Sequence, residues 1–185
     1  MTQDQHSSAV YLVGYRASGK TTVGRALAAR LCREFVDTDH LVEAEAGREI
    51  AAIFKESGEE AFRHLESEVL RRVCERSSQG EGLVVATGGG IVLLAENIKL
   101  MRNSGKVVWL RAPAAVLEER IGADPATARN RPPLEGASAA SEVEEVLRRR
   151  YPLYEASAEC IVDTGELDQE EVCSVIAAAL REKPE

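Results

Sequence analysis

Short apolar runs alternate along this chain with longer stretches whose apolar residues recur every three or four positions. Residues 9–13 (AVYLV), 34–37 (EFVD), 82–86 (GLVVA), 106–110 (KVVWL) and 160–163 (CIVD) read as five strands. Residues 20–32 have helical spacing, with Val23, Leu27 and Leu31 on one face. Three helical pieces follow the second strand, at about 39–46, 49–55 and 59–76, and another lies near 95–103. Pro113 suits the first turn of a helix running to about 121, and Arg148–Arg149–Arg150 reads as a charge run at a helix C-terminus. Asp168 with Glu171 forms a capping box that opens the last helix. Apolar strands alternating with helices predict a parallel sheet covered on both faces, a three-layer α/β fold. At 185 residues the chain fits a single domain, 1–185.

Two stretches break the rhythm. Roughly 40 residues of helix separate the second and third strands, far more than one crossover needs. Residues 122–138 carry Pro125, Pro132, Pro133 and Gly136 with few apolar residues. Both are candidate moving parts, since long irregular segments in compact domains are commonly lids.

Composition narrows the field. Lys and Arg total 23 against 31 Asp and Glu, a net charge of −8. That removes the basic footprint of a nucleic-acid binder and argues against an anionic membrane surface. At 4%, aromatic residues are too sparse to stack single-stranded bases. No run approaches the ~18 apolar residues of a membrane span, and MTQDQHSS at the start has neither a basic nor an apolar segment. The expected compartment is the cytoplasm. Cys32, Cys74, Cys160 and Cys173 form no Cys-x-x-Cys pair and read as small reduced core residues. His6, His40 and His64 share no metal-ligand spacing, and Trp109 sits in an apolar strand as a core residue.

Chemistry-bearing residues gather just after the strands. Gly14-Tyr15-Arg16-Ala17-Ser18-Gly19-Lys20-Thr21 fits G-x-x-x-x-G-K-[ST] between a strand and a helix. A loop that wraps phosphates must turn its N–H groups inward, while the helix beginning at Lys20 aims its positive end at them. Lys20 then reaches the β- and γ-phosphates, and the Thr21 hydroxyl can ligate Mg²⁺. Asp37 and Asp39 follow the second strand, where one carboxylate could support the metal and the other accept a proton, or both could simply cap a helix. Arg63 and Glu66, three apart on a helix, are neighbours on one face, usually a surface ion pair. Thr87-Gly88-Gly89-Gly90 follows the third strand and lets a ligand approach the backbone. Arg129 and Arg131 fall in the irregular segment, from which an arginine could swing onto a phosphate.

The set resembles the shikimate kinase family. The matching pieces are GYRASGKTT (14–22), FVDTD (35–39), FRHLE (62–66), ATGGGI (86–91), NRPPL (130–134), RRRYPLY (148–154) and VDT (162–164), in the family's order over nearly the whole chain. The resemblance implies a nucleoside-monophosphate-kinase-like P-loop fold, with a helical substrate-binding insert at about 38–76 and a mobile lid at about 122–138. It implies Mg²⁺-dependent transfer of the ATP γ-phosphoryl group to the 3-hydroxyl of shikimate, in chorismate and aromatic amino-acid biosynthesis. Separately, no extra apolar stripe in the sequence asks for a partner, so a monomer is expected. Gly14, Ala17, Ser18, Gly19, Lys20, Thr21 and Thr22 would hold ATP, with Arg120 stacking near the adenine and Arg131 closing from the lid. Thr21 would bind Mg²⁺, and Asp37 would support its water shell. Asp39 would orient and deprotonate the acceptor hydroxyl. Arg63 and Arg150 would clamp the carboxylate, Glu66 would orient Arg63, and Gly88, Gly89 and Gly90 would line the acceptor. The sequence departs from the family in carrying Ala17 where glycine is usual, and in offering no basic residue at 165–167. Two other readings stand beside this one. A kinase of the same architecture could act on gluconate or a nucleoside monophosphate, because fold alone does not fix substrate. A catalytically silent binding module would be expected to have lost Lys20, Thr21 or Asp39, and all three are present.

Overall fold

Five strands form one parallel sheet in the order β2-β3-β1-β4-β5. They are β1 (Ala9–Val13), β2 (Glu34–Asp37), β3 (Leu83–Ala86), β4 (Gly105–Arg111) and β5 (Cys160–Asp163). The computed structural model describes residues 8–123 and 139–181. Val10 on the central strand aligns with Val84 on one side and Lys106 on the other. Successive side chains point to opposite faces, and both faces are covered at the centre of the sheet, which is why β1 and β3 are apolar throughout. Tyr11, Val85, Val107 and Trp109 join one core layer, while Val10, Leu12, Val108 and Leu110 join the other.

The first layer is closed by α3 (Ile50–Ser78), α4 (Ala95–Ser104) and α6 (Ala139–Ser157), which contribute Leu70, Met101 and Tyr154. The second is closed by α1 (Lys20–Leu31) and α7 (Gln169–Ala179), through Leu27 and Ile176. Two smaller clusters complete the molecule. One joins α2 (Thr38–Ala46) to α3 through Val42, Ile53 and Phe62, and the other joins α5 (Ala114–Ala123) to α6 through Leu117 and Leu147. Asp168 caps α7 in a full capping box, as its spacing predicts.

The structure departs from the sequence reading in three places, and at a fourth, the long insert, it agrees. The pieces expected at 49–55 and 59–76 are two helical halves of α3 that meet at a kink, as the sequence reading has them, because Gly58 lies outside helical geometry (φ 82, ψ 174). Glycine takes that positive φ without steric cost, so the first half ends there and the second sets off from the kink. Arg148–Arg150 is not a helix end, because α6 runs on through Pro152 to Ser157. Proline removes one backbone bond. The helix is held beyond it by Tyr151 and Tyr154, whose rings lie 5.0 and 5.6 Å from Trp109. Cys74 and Cys173 are buried, but Cys32 is an exposed C-cap in the left-handed region rather than a core residue. An unanticipated 3₁₀ turn, Ile91–Leu93, follows the three glycines. The lid expected at 122–138, with Arg129 and Arg131, lies outside the described residues except for its first two positions. Among the described residues no helix is long and apolar enough to cross a membrane.

All five strands run parallel, so their C-terminal ends share one edge. That edge carries Gly14, Asp37, Thr87, Arg111 and Thr164, and ligands of open α/β sheets bind outside it.

Candidate active site

The loop between β1 and α1 has the form of a phosphate cradle. Gly19 caps α1 with φ 93, and α1 has neither a side-chain cap nor an acidic residue in its first turn. Its leading N–H groups and partial positive charge are therefore uncompensated by the chain itself. Lys20 folds back over the loop, its Nζ donating to the carbonyls of Gly14 (2.9 Å) and Tyr15 (2.7 Å). Burial lowers the Lys20 pKa to about 8, although Asp39 and Asp37 hold it up; Arg150 adds to the fall. Ala17 stands in the left-handed region at φ 62, where glycine would meet no Cβ penalty.

At the end of β2 the two carboxylates divide their work. Asp37 Oδ1 caps α2, accepting from the Asp39 N–H at 3.1 Å, and its Oδ2 accepts from the Thr21 hydroxyl at 3.0 Å. The capping and cradle-facing readings of Asp37 thus both hold. Asp39 lines the cavity beside it. Thr38 between them is buried and takes the Gly88 N–H onto its hydroxyl at 3.1 Å, tying the end of β2 to the turn after β3.

The three glycines make room for charged side chains. A Cβ at Gly88 would sit 2.8 Å from Asp39 Oδ1 and closer still to Glu66 Oε1, and one at Gly90 would fall inside the Arg63 guanidinium. Arg63 is buried, donating through Nη1 to Glu66 Oε2 at 2.7 Å and through Nη2 to Glu59 Oε1 at 3.0 Å. Burial pulls this guanidinium down, but Glu66 and Glu59 more than offset it and leave its pKa raised. Gly89 alone meets nothing closer than 3.5 Å. Its carbonyl accepts from Arg150 Nη1 at 3.1 Å and from the Tyr154 hydroxyl at 2.5 Å.

A cavity of 640 Å³ joins these parts. Lys20, Thr21, Thr22 and Asp37 line its cradle side, while Asp39, Glu66, Gly88, Gly89 and Arg150 line the other. Gly14, Ser18, Arg63 and Gly90 do not line it, Ser18 and Arg63 being buried. Phe54 and Phe62, with ring centroids 4.6 Å apart, contribute an apolar wall. Arg120 is elsewhere: its Nη2 donates to the Thr164 carbonyl at 2.6 Å, and the Thr164 hydroxyl reaches the Ser18 carbonyl at 3.4 Å. It therefore stands at the end of β5 beside the outer side of the cradle. Sequence reasoning missed Thr38, Glu59, Phe54 and Tyr154. The first two carried a signal, Thr38 flanked by the aspartates and Glu59 four residues before Arg63. Tyr154 lay at the end of the RRRYPLY piece, but nothing there gave it a role.

The donor set also suits a hard divalent cation. A hydroxyl and a carboxylate stand together at Thr21 and Asp37, and Mg²⁺ prefers such oxygen ligands while keeping much of its shell for water and phosphate. Among the described residues no cluster of three or more His, Cys, Asp or Glu could hold a metal on protein ligands alone.

A glycine-and-lysine cradle at the central strand of a parallel sheet, opening onto a pocket with its own carboxylate and arginine, defines a P-loop small-molecule kinase. Residues 16–181 match the family model described as shikimate kinase. A shikimate kinase of Nitratidesulfovibrio vulgaris is 48% identical over 153 residues, covering 83% of this chain and 85% of that protein. A protein named shikimate kinase 2 from an Enterobacter species is 45% identical, covering 93% and 95%. The solved shikimate kinase of Acinetobacter baumannii, in complex with shikimate, superposes with a TM-score of 0.86 at 35% identity, covering 95% of this chain and 94% of that one. The chain belongs to the shikimate kinase family.

Proposed function

We propose that this chain transfers the γ-phosphoryl group of ATP to the 3-hydroxyl of shikimate, giving ADP and shikimate 3-phosphate in the route to chorismate and the aromatic amino acids. The observation that carries this reading is a single cavity in which the phosphate cradle faces Asp39 and Arg150, in a chain of this family. Phosphoryl transfer asks a protein mainly for positioning and charge neutralisation. Lys20 leaves its two carbonyls for the phosphates, and the first N–H groups of α1 share their charge. Thr21 would hold Mg²⁺ directly and Asp37 through water; when bound, the ion neutralises charge on the phosphate oxygens. Asp39 orients the acceptor hydroxyl and takes its proton.

Arg150 takes the acceptor carboxylate. Arg63 joins it by exchanging Glu59, whose side chain is 63% exposed, while the buried bond to Glu66 keeps its fork aimed. The backbone of 88–90 meets the ring hydroxyls. In this reading α2 and α3 form the acceptor-binding insert, 122–138 forms the lid that brings Arg131 onto the phosphates and excludes water, and Arg120 faces the adenine.

The test is ADP release from Mg²⁺-ATP, coupled to NADH oxidation, with shikimate, gluconate and AMP offered separately. Turnover is expected with shikimate only. Asp39→Asn should lower it by ~10²-fold or more while ATP binding persists. Turnover with another acceptor, or an unimpaired Asp39→Asn enzyme, would overturn the assignment.

A further inference from the structure

We propose that Arg16, the third residue of the phosphate loop, is a further anion-binding group that shares the acceptor carboxylate with Arg150. This rests on the reading that the acceptor is a small carboxylate-bearing alcohol. The loop grips phosphates through its backbone, so nothing in that chemistry calls for a cationic side chain at position 16. Yet Arg16 lines the cavity with Arg150, and the two guanidiniums share one support, lying 5.7 and 6.0 Å from the Tyr15 ring centroid. Arg16 Nε is buried without a hydrogen-bond acceptor among the described residues, and a desolvated cationic donor left that way is costly until an oxygen reaches it.

The carboxylates around it have other duties. Asp37 caps α2, Glu43 accepts from the Ile50 N–H at 3.0 Å, and Glu59 and Glu66 hold Arg63. No ion pair of Arg16 or Arg150 is formed among the described residues. Two like charges on one ring repel, and an anion between them converts that repulsion into binding. The backbone fixes the place: the Arg16 N lies 3.5 Å from where a Cβ on Gly89 would be, so Arg16 stands where the cradle meets the acceptor pocket.

The experiment compares wild type, Arg16→Gln and Arg16→Lys in initial-rate kinetics with shikimate and with its neutral carboxamide. Arg16→Gln should raise KM for shikimate about tenfold or more, the loss of one charge-assisted contact, while KM for ATP moves less than twofold. With the carboxamide the difference between variant and wild type should vanish, and Arg16→Lys should recover part of the loss. An equal penalty on the carboxamide, a change confined to KM for ATP or to kcat, or no change at all overturns the proposal. Should Arg16→Gln fail to fold, Arg16→Lys carries the same comparison, its loss of the planar fork appearing with shikimate and not with the carboxamide. A wild type inactive on shikimate overturns the proposed function as well, whereas an active wild type with an indifferent Arg16→Gln overturns this proposal alone.

Discussion

Removing the charge of Glu66 should cost far more stability than removing that of Glu59, although both carboxylates hold the same guanidinium. The side chains of Glu66 and Arg63 are 1% and 10% exposed and meet at 2.7 Å, whereas Glu59 is 63% exposed and meets Arg63 at 3.0 Å. A solvent-facing pair is worth ~0–1 kcal/mol, so Glu59→Gln should cost less than about 1 kcal/mol. Taking one partner from a buried pair costs ~3–5 kcal/mol, because the other charge stays desolvated. Glutamine at 66 still offers an acceptor, which returns about 1 kcal/mol, and Glu59 remains to share the cation. The expected loss for Glu66→Gln is therefore about 3 kcal/mol. At ~2–4 °C per kcal/mol for a domain of this size, that lowers Tm by about 6–12 °C.

Denaturant and thermal unfolding of the two variants and wild type at neutral pH, followed by circular dichroism, measure the difference, with an unchanged m-value showing that the midpoint shift reports stability. The same variants should differ in KM for the acceptor, since an unanchored Arg63 no longer presents a fixed fork. Equal losses from the two substitutions, or a loss from Glu66→Gln below about 0.5 kcal/mol, would refute the division of labour drawn from their burial.

Three more outcomes follow from the site. The Lys20 ammonium, lowered to about 8 against an ordinary 10.5, is lost from the nucleotide-free fold while the unfolded chain still keeps its proton. Stability should then rise with pH between those values and kcat/KM for ATP should fall as pH passes about 8, earlier still in Asp39→Asn; a flat profile from pH 7 to 10 would remove the premise. Gly88→Ala drives a Cβ against Asp39 and Glu66 and should lower stability by ~1–3 kcal/mol, whereas Gly89→Ala should fold normally and lose acceptor affinity; similar melting points for the two would count against this. Ala17→Gly relieves a left-handed alanine worth ~1–2 kcal/mol and adds ~0.4–1 kcal/mol of unfolded-chain entropy, so a small gain in Tm is expected and a loss would be contrary.

The sheet was legible because both its faces are buried. Strands such as AVYLV and KVVWL have no polar side to hide the period, and the turns after them carry the chemistry. The cradle was legible for a related reason: a backbone that must turn inward around phosphate tolerates few spacings of Gly, Lys and Thr. Helix ends were harder. Nothing near Pro152 announces that α6 continues, since what sustains it is Trp109, on β4 more than 40 residues earlier. The break at Gly58 was legible, since a glycine between two helical patterns is where the backbone leaves helical geometry.

The acceptor half of the site shows where spacing stops being informative. Glycines at 88–90 suggest a backbone bared for a ligand, yet two of the three are bare because a carboxylate pair and a guanidinium occupy the space of their missing side chains. Only Gly89 is left open, and its carbonyl is held by two groups from α6, Arg150 and Tyr154. The triple glycine is thus a seat on which charged side chains from α2 and α3 are laid close together, with space left only at the middle residue. An arginine in such a place is useful to a ligand only to the extent that its own neighbours leave it uncompensated. Arg63, the arginine the local motif points to, lies outside the cavity lining and is held by two carboxylates, while Arg16 and Arg150, on elements far apart in sequence, line the cavity and form no ion pair among the described residues. Which cation is left uncompensated is decided by the carboxylates beside it, and those are set by the fold.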